Sequence, residues 1–409
     1  MSARLHRLPN GVTVAVEPMA SVETVAVGLY ADVGSRSEPD GLSGLAHMVE
    51  HMVFKGAGSR DARAIAEAIE DKGGSINAWT ARDHTVFHAR MLADDMALGL
   101  DLIADLVRAP HFKADELERE KEVVLSELGE SRDTPDDIIF DHLSAAAFGS
   151  QPLGLPVLGD ETSIAAITVS ALKDWIGQQY LPDRLVIAAA GKVDEDALLK
   201  LVERRFGDLD QAEAGTSTPA SFMSGTRHDR RRFDQLHLAF AHKAPAYRDG
   251  DLHAMALFAS AVGGGMSSRL FQELREERGL AYSVYAWAQP YIDTGMFGVY
   301  CAAQQEKGAE AFTLAREVLA RTAETLDEAE LARAKTQAKA GLLMGLESVA
   351  TRCDHLARQI QIHGRVVPPA ETVASIDAVS VGDVRSAGQA ALSGPIAVAS
   401  VGGRLARVA

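Results

Sequence analysis

Three side chains within five residues have the types and spacing for hydrolytic chemistry: His47, Glu50 and His51. They lie in Gly44-Leu45-Ala46-His47-Met48-Val49-Glu50-His51-Met52-Val53-Phe54-Lys55-Gly56. Leu45, Met48, Met52 and Val53 recur at helical intervals and Gly56 stands where a helix would stop, so the stretch predicts an amphipathic helix. Residues four apart on a helix lie only about 40° apart around its axis, so His47 and His51 can offer two imidazoles to one metal ion. Glu50 projects from the same turn, placed to take a proton from water without being a ligand. The order His-x-x-Glu-His reverses the His-Glu-x-x-His zinc motif. Two histidines and a carboxylate base suit Zn²⁺, whose catalytic sites use three protein ligands and leave a fourth position open.

The third ligand must come from elsewhere, and Asp115-Glu116-Leu117-Glu118-Arg119-Glu120-Lys121-Glu122-Val123-Val124-Leu125-Ser126-Glu127-Leu128 supplies candidates. It reads as a helix with an apolar stripe of Leu117, Val124 and Leu128. Seven residues turn a helix through about 700°, within roughly 20° of two full turns. Glu120 and Glu127 therefore share a face beside the stripe, whereas Glu116, Glu118 and Glu122 read as a solvated face. Glu127, at the margin of the core, is a candidate ligand.

His47-Met-Val-Glu-His51, Gly73-Gly-Ser-Ile-Asn-Ala-Trp-Thr-Ala-Arg-Asp-His-Thr-Val-Phe-His-Ala-Arg-Met91 and Glu116-Leu-Glu-Arg-Glu-Lys-Glu-Val-Val-Leu-Ser-Glu-Leu128 together resemble the pitrilysin and insulinase family of zinc peptidases. The likeness is strongest to the branch holding the mitochondrial processing peptidase β subunit and its bacterial relatives. It implies one Zn²⁺ per chain on His47, His51 and Glu127, eighty residues beyond His47, with Glu50 as general base and Glu120 as an assisting carboxylate. Gly73–Thr80 and His84–Met91 read as a hairpin, and the resemblance implies that its first strand adds an extended peptide to its edge, with Asn77 and Ala78 facing substrate. In Gly263-Gly-Gly-Met-Ser-Ser-Arg-Leu-Phe-Gln-Glu-Leu-Arg-Glu-Glu-Arg-Gly-Leu-Ala-Tyr282 it assigns Arg275 and Tyr282, seven residues apart, to the substrate backbone and the scissile carbonyl. The three glycines meet neither the dinucleotide-binding nor the P-loop pattern, so phosphate binding is set aside. The glycine-rich insertion of the mitochondrial α subunit is absent. His84 and His88 are strand histidines and are not counted as ligands.

Two repeated halves must position these residues. Thr24–Tyr30 recurs as Gln235–Ala241, Met96–Val107 as Ala309–Leu319, and Leu185–Gly191 as Ile396–Gly402, at an offset of about 210 residues. A duplicated α/β unit of α+β class is the simplest account: each half a mostly antiparallel sheet with helices packed on one face. The expected division is a zinc-binding domain over 1–210, a small, polar, Pro- and Gly-bearing linker over 211–227, and a related non-metal domain over 228–409. The chemistry is not repeated. Glu330-Leu-Ala-Arg-Ala334 stands against Glu116-Leu-Glu-Arg-Glu120, Gly341 meets Glu127, and residues 250–265 contain no HxxEH.

The chain has 409 residues, 47% hydrophobic and 24% charged, as in an ordinary globular protein. Its 41 basic and 57 acidic residues give a net charge of −16, which argues against nucleic acid or an anionic membrane as partner. Cys301 and Cys353 are too few for a disulfide framework. No apolar run approaches the ~20 residues a membrane span needs, and no apolar signal core precedes the strand-like Val12–Val16, so the expectation is a cytoplasmic protein or one whose targeting segment has been removed. Together these readings predict a zinc metalloendopeptidase for unstructured peptides. Longer family members join four such units into a hollow clam, so the resemblance implies that this chain is half of one. A homodimer is expected, or a heterodimer with a homologous subunit; a non-catalytic scaffold of the same fold is the rival reading.

Overall fold

Two strands of the first sheet carry Val-Ala-Val, at 14–16 and at 25–27. Its strands are β1 (Arg4–Arg7), β2 (Thr13–Pro18) and β3 (Thr24–Ala31), then, past a two-residue ladder of β4 (Gly56–Ala57) and β5 (Arg60–Asp61), β6 (Ser75–Thr80), β7 (Thr85–Leu92) and β8 (Leu185–Gly191). In the computed structural model, which describes residues 3–211 and 218–403, the order is β1-β2-β8-β3-β7-β6. The β2–β8 pair is parallel and the other pairs are antiparallel.

The second sheet repeats the plan with β9 (Thr226–Asp229), β10 (Leu236–Ala244), β11 (Ala281–Pro290), β12 (Gly295–Ala303) and β13 (Ile396–Val401), in the order β11-β12-β10-β13-β9. Again a single pair, β9–β13, is parallel. The β6–β7 hairpin of the first sheet thus corresponds to β11–β12 of the second. The helices Met96–Arg108 and Gly308–Thr325, and Ala114–Asp133 and Glu328–Gly345, follow at matching places. The duplication expected from the offset is present.

Each sheet carries its main helical layer on one face, as expected, but the opposite face is not bare. On the first sheet, Ala15, Ala26, Ala188 and Ala190 form a shallow floor on which the Val349–His363 helix lies through Cys353, Leu356, Ala357 and Ile360. Cys353 Sγ donates to the Ala188 carbonyl at 3.2 Å. On the second, Ala239, Ala241, Ala397 and Ala399 receive Ile139, Leu143 and Ala147 of the Pro135–Phe148 helix. Small side chains let a helix backbone approach a sheet closely, and a strand buried on both faces reads as a continuous apolar run. Leu185-Val-Ile-Ala-Ala-Ala-Gly191, buried at every position, carried that signal.

The covering helices come from opposite halves of the chain, so the two compact units interleave in sequence. One comprises Met1–Leu128, Pro156–Ser217 and Met344–Val367; the other comprises Gly129–Leu155, Thr218–Leu343 and Pro368–Ala409. Within the linker expected over 211–227, residues 212–217 lie outside the described residues. No described helix is long and apolar enough to cross a membrane.

Candidate metal centre

The Leu45–Val53 helix buries Leu45, Ala46, Met48, Val49, Met52 and Val53, which leaves His47, Glu50 and His51 on its remaining side. Its start is unusual. Gly44, at the N-cap, has φ +91°, and a Cβ there would stand 2.6 Å from the Leu158 carbonyl oxygen, so no side chain fits. Glu38 caps the helix instead, accepting from the Ala46 N–H at 2.8 Å and the Gly44 N–H at 3.0 Å.

Burial pushes the Glu38 carboxyl up to about 8, against the lowering pull of the Ala46, Gly44 and Leu45 N–H groups. Glu38→Ala leaves the Gly44 and Ala46 N–H groups without this acceptor, whereas the Leu45 N–H keeps the Leu42 carbonyl, and is expected to cost about 1–3 kcal/mol in denaturant unfolding. The sign of the pH effect follows from the raised value. The folded chain holds this proton more tightly than the unfolded one, so the contribution is complete below the unfolded value and is lost as pH rises through about 8. Glu38→Gln should therefore flatten the fall in unfolding free energy between pH 5.5 and 8, and an unchanged slope would refute the assignment.

The Ala114–Asp133 helix presents Glu120 and Glu127 to this surface from one face, as the seven-residue spacing predicts. The imidazole centroids of His47 and His51 are 4.5 Å apart. Glu127 Oε2 lies 3.9 Å from His47 Nε2 and 3.6 Å from His51 Nε2. Donors at about 2.0–2.1 Å from a tetrahedral Zn²⁺ stand roughly 3.3 Å apart, and the three candidate donor atoms here all lie within 4.8 Å of one another. Among the described residues this is the one group of three or more His, Cys, Asp or Glu side chains so converged. Burial, and then the neighbouring His51, lower the His47 pKa to about 4, which keeps a lone pair free for a metal. The donor set and its geometry therefore fit zinc.

Around the three candidate ligands the structure adds partners. Glu50 Oε2 accepts the Thr80 hydroxyl at 2.7 Å, and burial raises the Glu50 pKa despite that bond, a shift that suits a base. Glu120, only 4% exposed, accepts from His51 Nδ1 at 3.1 Å through one oxygen and from Lys55 Nζ at 2.6 Å through the other. Glu116 and Glu118 pair with Arg119 and Lys121 at the surface, as a solvated face should.

Thr80 ends β6, the edge strand of the first sheet. On β6, Asn77 is exposed and its Oδ1 accepts the N–H of Ala78, itself buried, at 2.9 Å. A buried ion pair, Arg36 Nη1 to Asp83 Oδ1 at 2.9 Å, ties the β6–β7 turn to the Ser35–Ser37 turn ahead of the metal helix. His84 packs edge-on against Trp79 and His88 is half-buried; neither joins the converged group.

Arg275 and Tyr282 belong to the second compact unit and are not part of that group. They are brought to each other: the Arg275 guanidinium carbon lies 4.7 Å from the Phe271 ring centroid and 5.3 Å from that of Tyr282, which is 72% exposed. Sequence reasoning missed Thr80, Lys55, Glu38 and the Arg36–Asp83 pair. Lys55 alone carried a local signal, standing four residues after His51 and so on the same side of the helix.

Residues 13–161 match the family described as Insulinase (Peptidase family M16), and residues 166–338 match its Peptidase M16 inactive domain. An uncharacterized zinc protease of Mycobacterium tuberculosis (strain ATCC 25618 / H37Rv) is 36% identical over 403 residues, covering 96% of this chain and 91% of the relative. An uncharacterized zinc protease of Bacillus subtilis (strain 168) is 33% identical over 378 residues, covering 91% of each. A crystal structure of a peptidase M16 inactive domain from Pseudomonas fluorescens shares the fold at a TM-score of 0.90 with 23% identity, covering 100% of this chain and 99% of that one. A protease from Helicobacter pylori gives 0.89 and 22%, covering 98% and 99%.

Proposed function

The chain belongs to the insulinase family, peptidase family M16, and on that premise we propose that it is a zinc endopeptidase hydrolysing unstructured peptides. The observation that carries the proposal is the convergence of His47, His51 and Glu127 with Glu50 on the adjoining turn. Bound there, Zn²⁺ supplies Lewis-acid chemistry, lowering the pKa of water and polarising a carbonyl.

The chain's own residues do the rest. Glu50, held through one oxygen by Thr80, takes the proton of the attacking water and returns it to the leaving amine. Glu120 holds His51 through Nδ1. The outer edge of β6 offers its backbone to an extended peptide beside Asn77 and Ala78, so affinity arises from main-chain hydrogen bonds. The purified chain alone should cleave an unstructured peptide and lose that activity to a chelator. Absence of both zinc and cleavage would make the chain a scaffold of the same fold.

The second half keeps the fold and matches the inactive domain, with Gly341 where Glu127 stands in the first. We assign its exposed Arg275–Tyr282 pair to the substrate backbone and the scissile carbonyl, acting on the zinc site of a second copy in a homodimer with two equivalent sites. Mixing a Glu50→Gln chain with a Tyr282→Phe chain should then raise activity above either parent, because a mixed dimer contains one unimpaired site. Demonstrated subunit exchange without recovery would show that the pair does not act across chains.

A further inference from the structure

We infer that Lys55 is a positioning residue for His51, acting through Glu120. The inference rests on the zinc-site reading above and extends it to a residue outside the ligand set and the base. Glu120 is a buried carboxylate whose two oxygens have one partner each: Lys55 Nζ at 2.6 Å on Oε1 and His51 Nδ1 at 3.1 Å on Oε2. A buried carboxylate without a cation is costly, and a charge-assisted bond to one oxygen fixes where the other points. With Oε1 held by Lys55, Oε2 is aimed at His51 Nδ1. The imidazole proton then sits on Nδ1, and the Nε2 lone pair is directed toward Glu127, 3.6 Å away.

The two candidate histidines differ here. His47 Nδ1 is buried without a hydrogen-bond partner, so no polar contact at that nitrogen orients the ring, whereas the Lys55–Glu120 pair orients the ring of His51 through its Nδ1. The repeated half supplies an internal control. Its corresponding helix, Leu252–Gly263, is followed by Gly264 and Gly265 and offers no lysine, and Ala334 stands in the place of Glu120. The half that lacks the metal ligands lacks both members of the pair.

The test measures zinc dissociation constants by competition with a chromophoric chelator for the full chain and for Lys55→Met, Lys55→Arg, Glu120→Gln and the double variant Lys55→Met/Glu120→Gln. Melting of the metal-free proteins, in parallel, separates folding from binding. Lys55→Met and Glu120→Gln are each expected to weaken zinc by about 10–100-fold. The double variant should bind no more weakly than the worse single one, because both changes break one relay. Lys55→Arg, which keeps the cation, should recover most of the loss, and it serves as the decisive variant if the methionine protein does not fold.

Wild-type zinc affinity in Lys55→Met, an arginine variant as weak as the methionine one, or losses that multiply in the double variant would each overturn the proposal while leaving the zinc-peptidase reading intact. A wild-type chain that binds no zinc in the same titration would overturn both.

Discussion

Glu50→Gln should leave zinc bound and lower peptide turnover by about 10²–10⁴-fold, the usual share of general acid–base catalysis. Glutamine keeps the size of the side chain and an oxygen to accept the Thr80 hydroxyl, now at 2.7 Å from the carboxylate, so the site should keep its shape. It cannot carry a proton from water to the leaving amine. Glu50 is also not among the three converged donors, so zinc occupancy should match wild type. Zinc content and single-turnover rates on the same preparation separate these effects. A zinc-loaded Glu50→Gln protein cleaving at a near-wild-type rate would remove Glu50 from the mechanism.

The second large effect divides the two glutamates of the Ala114–Asp133 helix. Glu127 faces both Nε2 atoms, and Glu127→Gln should weaken zinc beyond the roughly 10–100-fold typical of outer partners, far enough that dialysis strips the metal. Glu120 touches His51 on the other nitrogen, so Glu120→Gln should stay within that range, retain zinc through dialysis and mainly slow turnover. Zinc retained per chain after dialysis reads the difference directly. Metal lost from Glu120→Gln and kept by Glu127→Gln would mean that the assignments are reversed.

These two residues also mark where reading the chain stops. Helical periodicity puts Glu120 and Glu127 on one face, because a seven-residue step nearly completes two turns. It does not say which is deeper. In the fold Glu120 is sealed against His51 and Lys55, with its side chain 6% exposed, while Glu127 stays 41% exposed opposite the Nε2 atoms. That difference comes from how the Ala114–Asp133 helix lies against the Leu45–Val53 helix, and its own sequence carries no measure of it.

What the sequence determined by itself is what backbone geometry enforces over one or two turns or across one repeat. The i, i+4 histidines, the intervening base, the apolar stripes, the duplication and the loss of the carboxylates from the second copy all belong there. The tertiary structure decided which distant groups meet. Thr80 reaches Glu50 because edge strand β6 lies beside the metal helix. Glu38 becomes the cap of that helix because Gly44, in a conformation only glycine adopts freely, has no side chain to accept the N–H groups of Gly44 and Ala46 that Glu38 receives. The outer faces of both sheets are covered by helices from the opposite half, since alanine floors leave room for a backbone to approach. Such pairings join positions tens to hundreds of residues apart. Local dihedral preferences do not constrain those separations, and burial of apolar surface with satisfaction of the polar groups trapped beside it does.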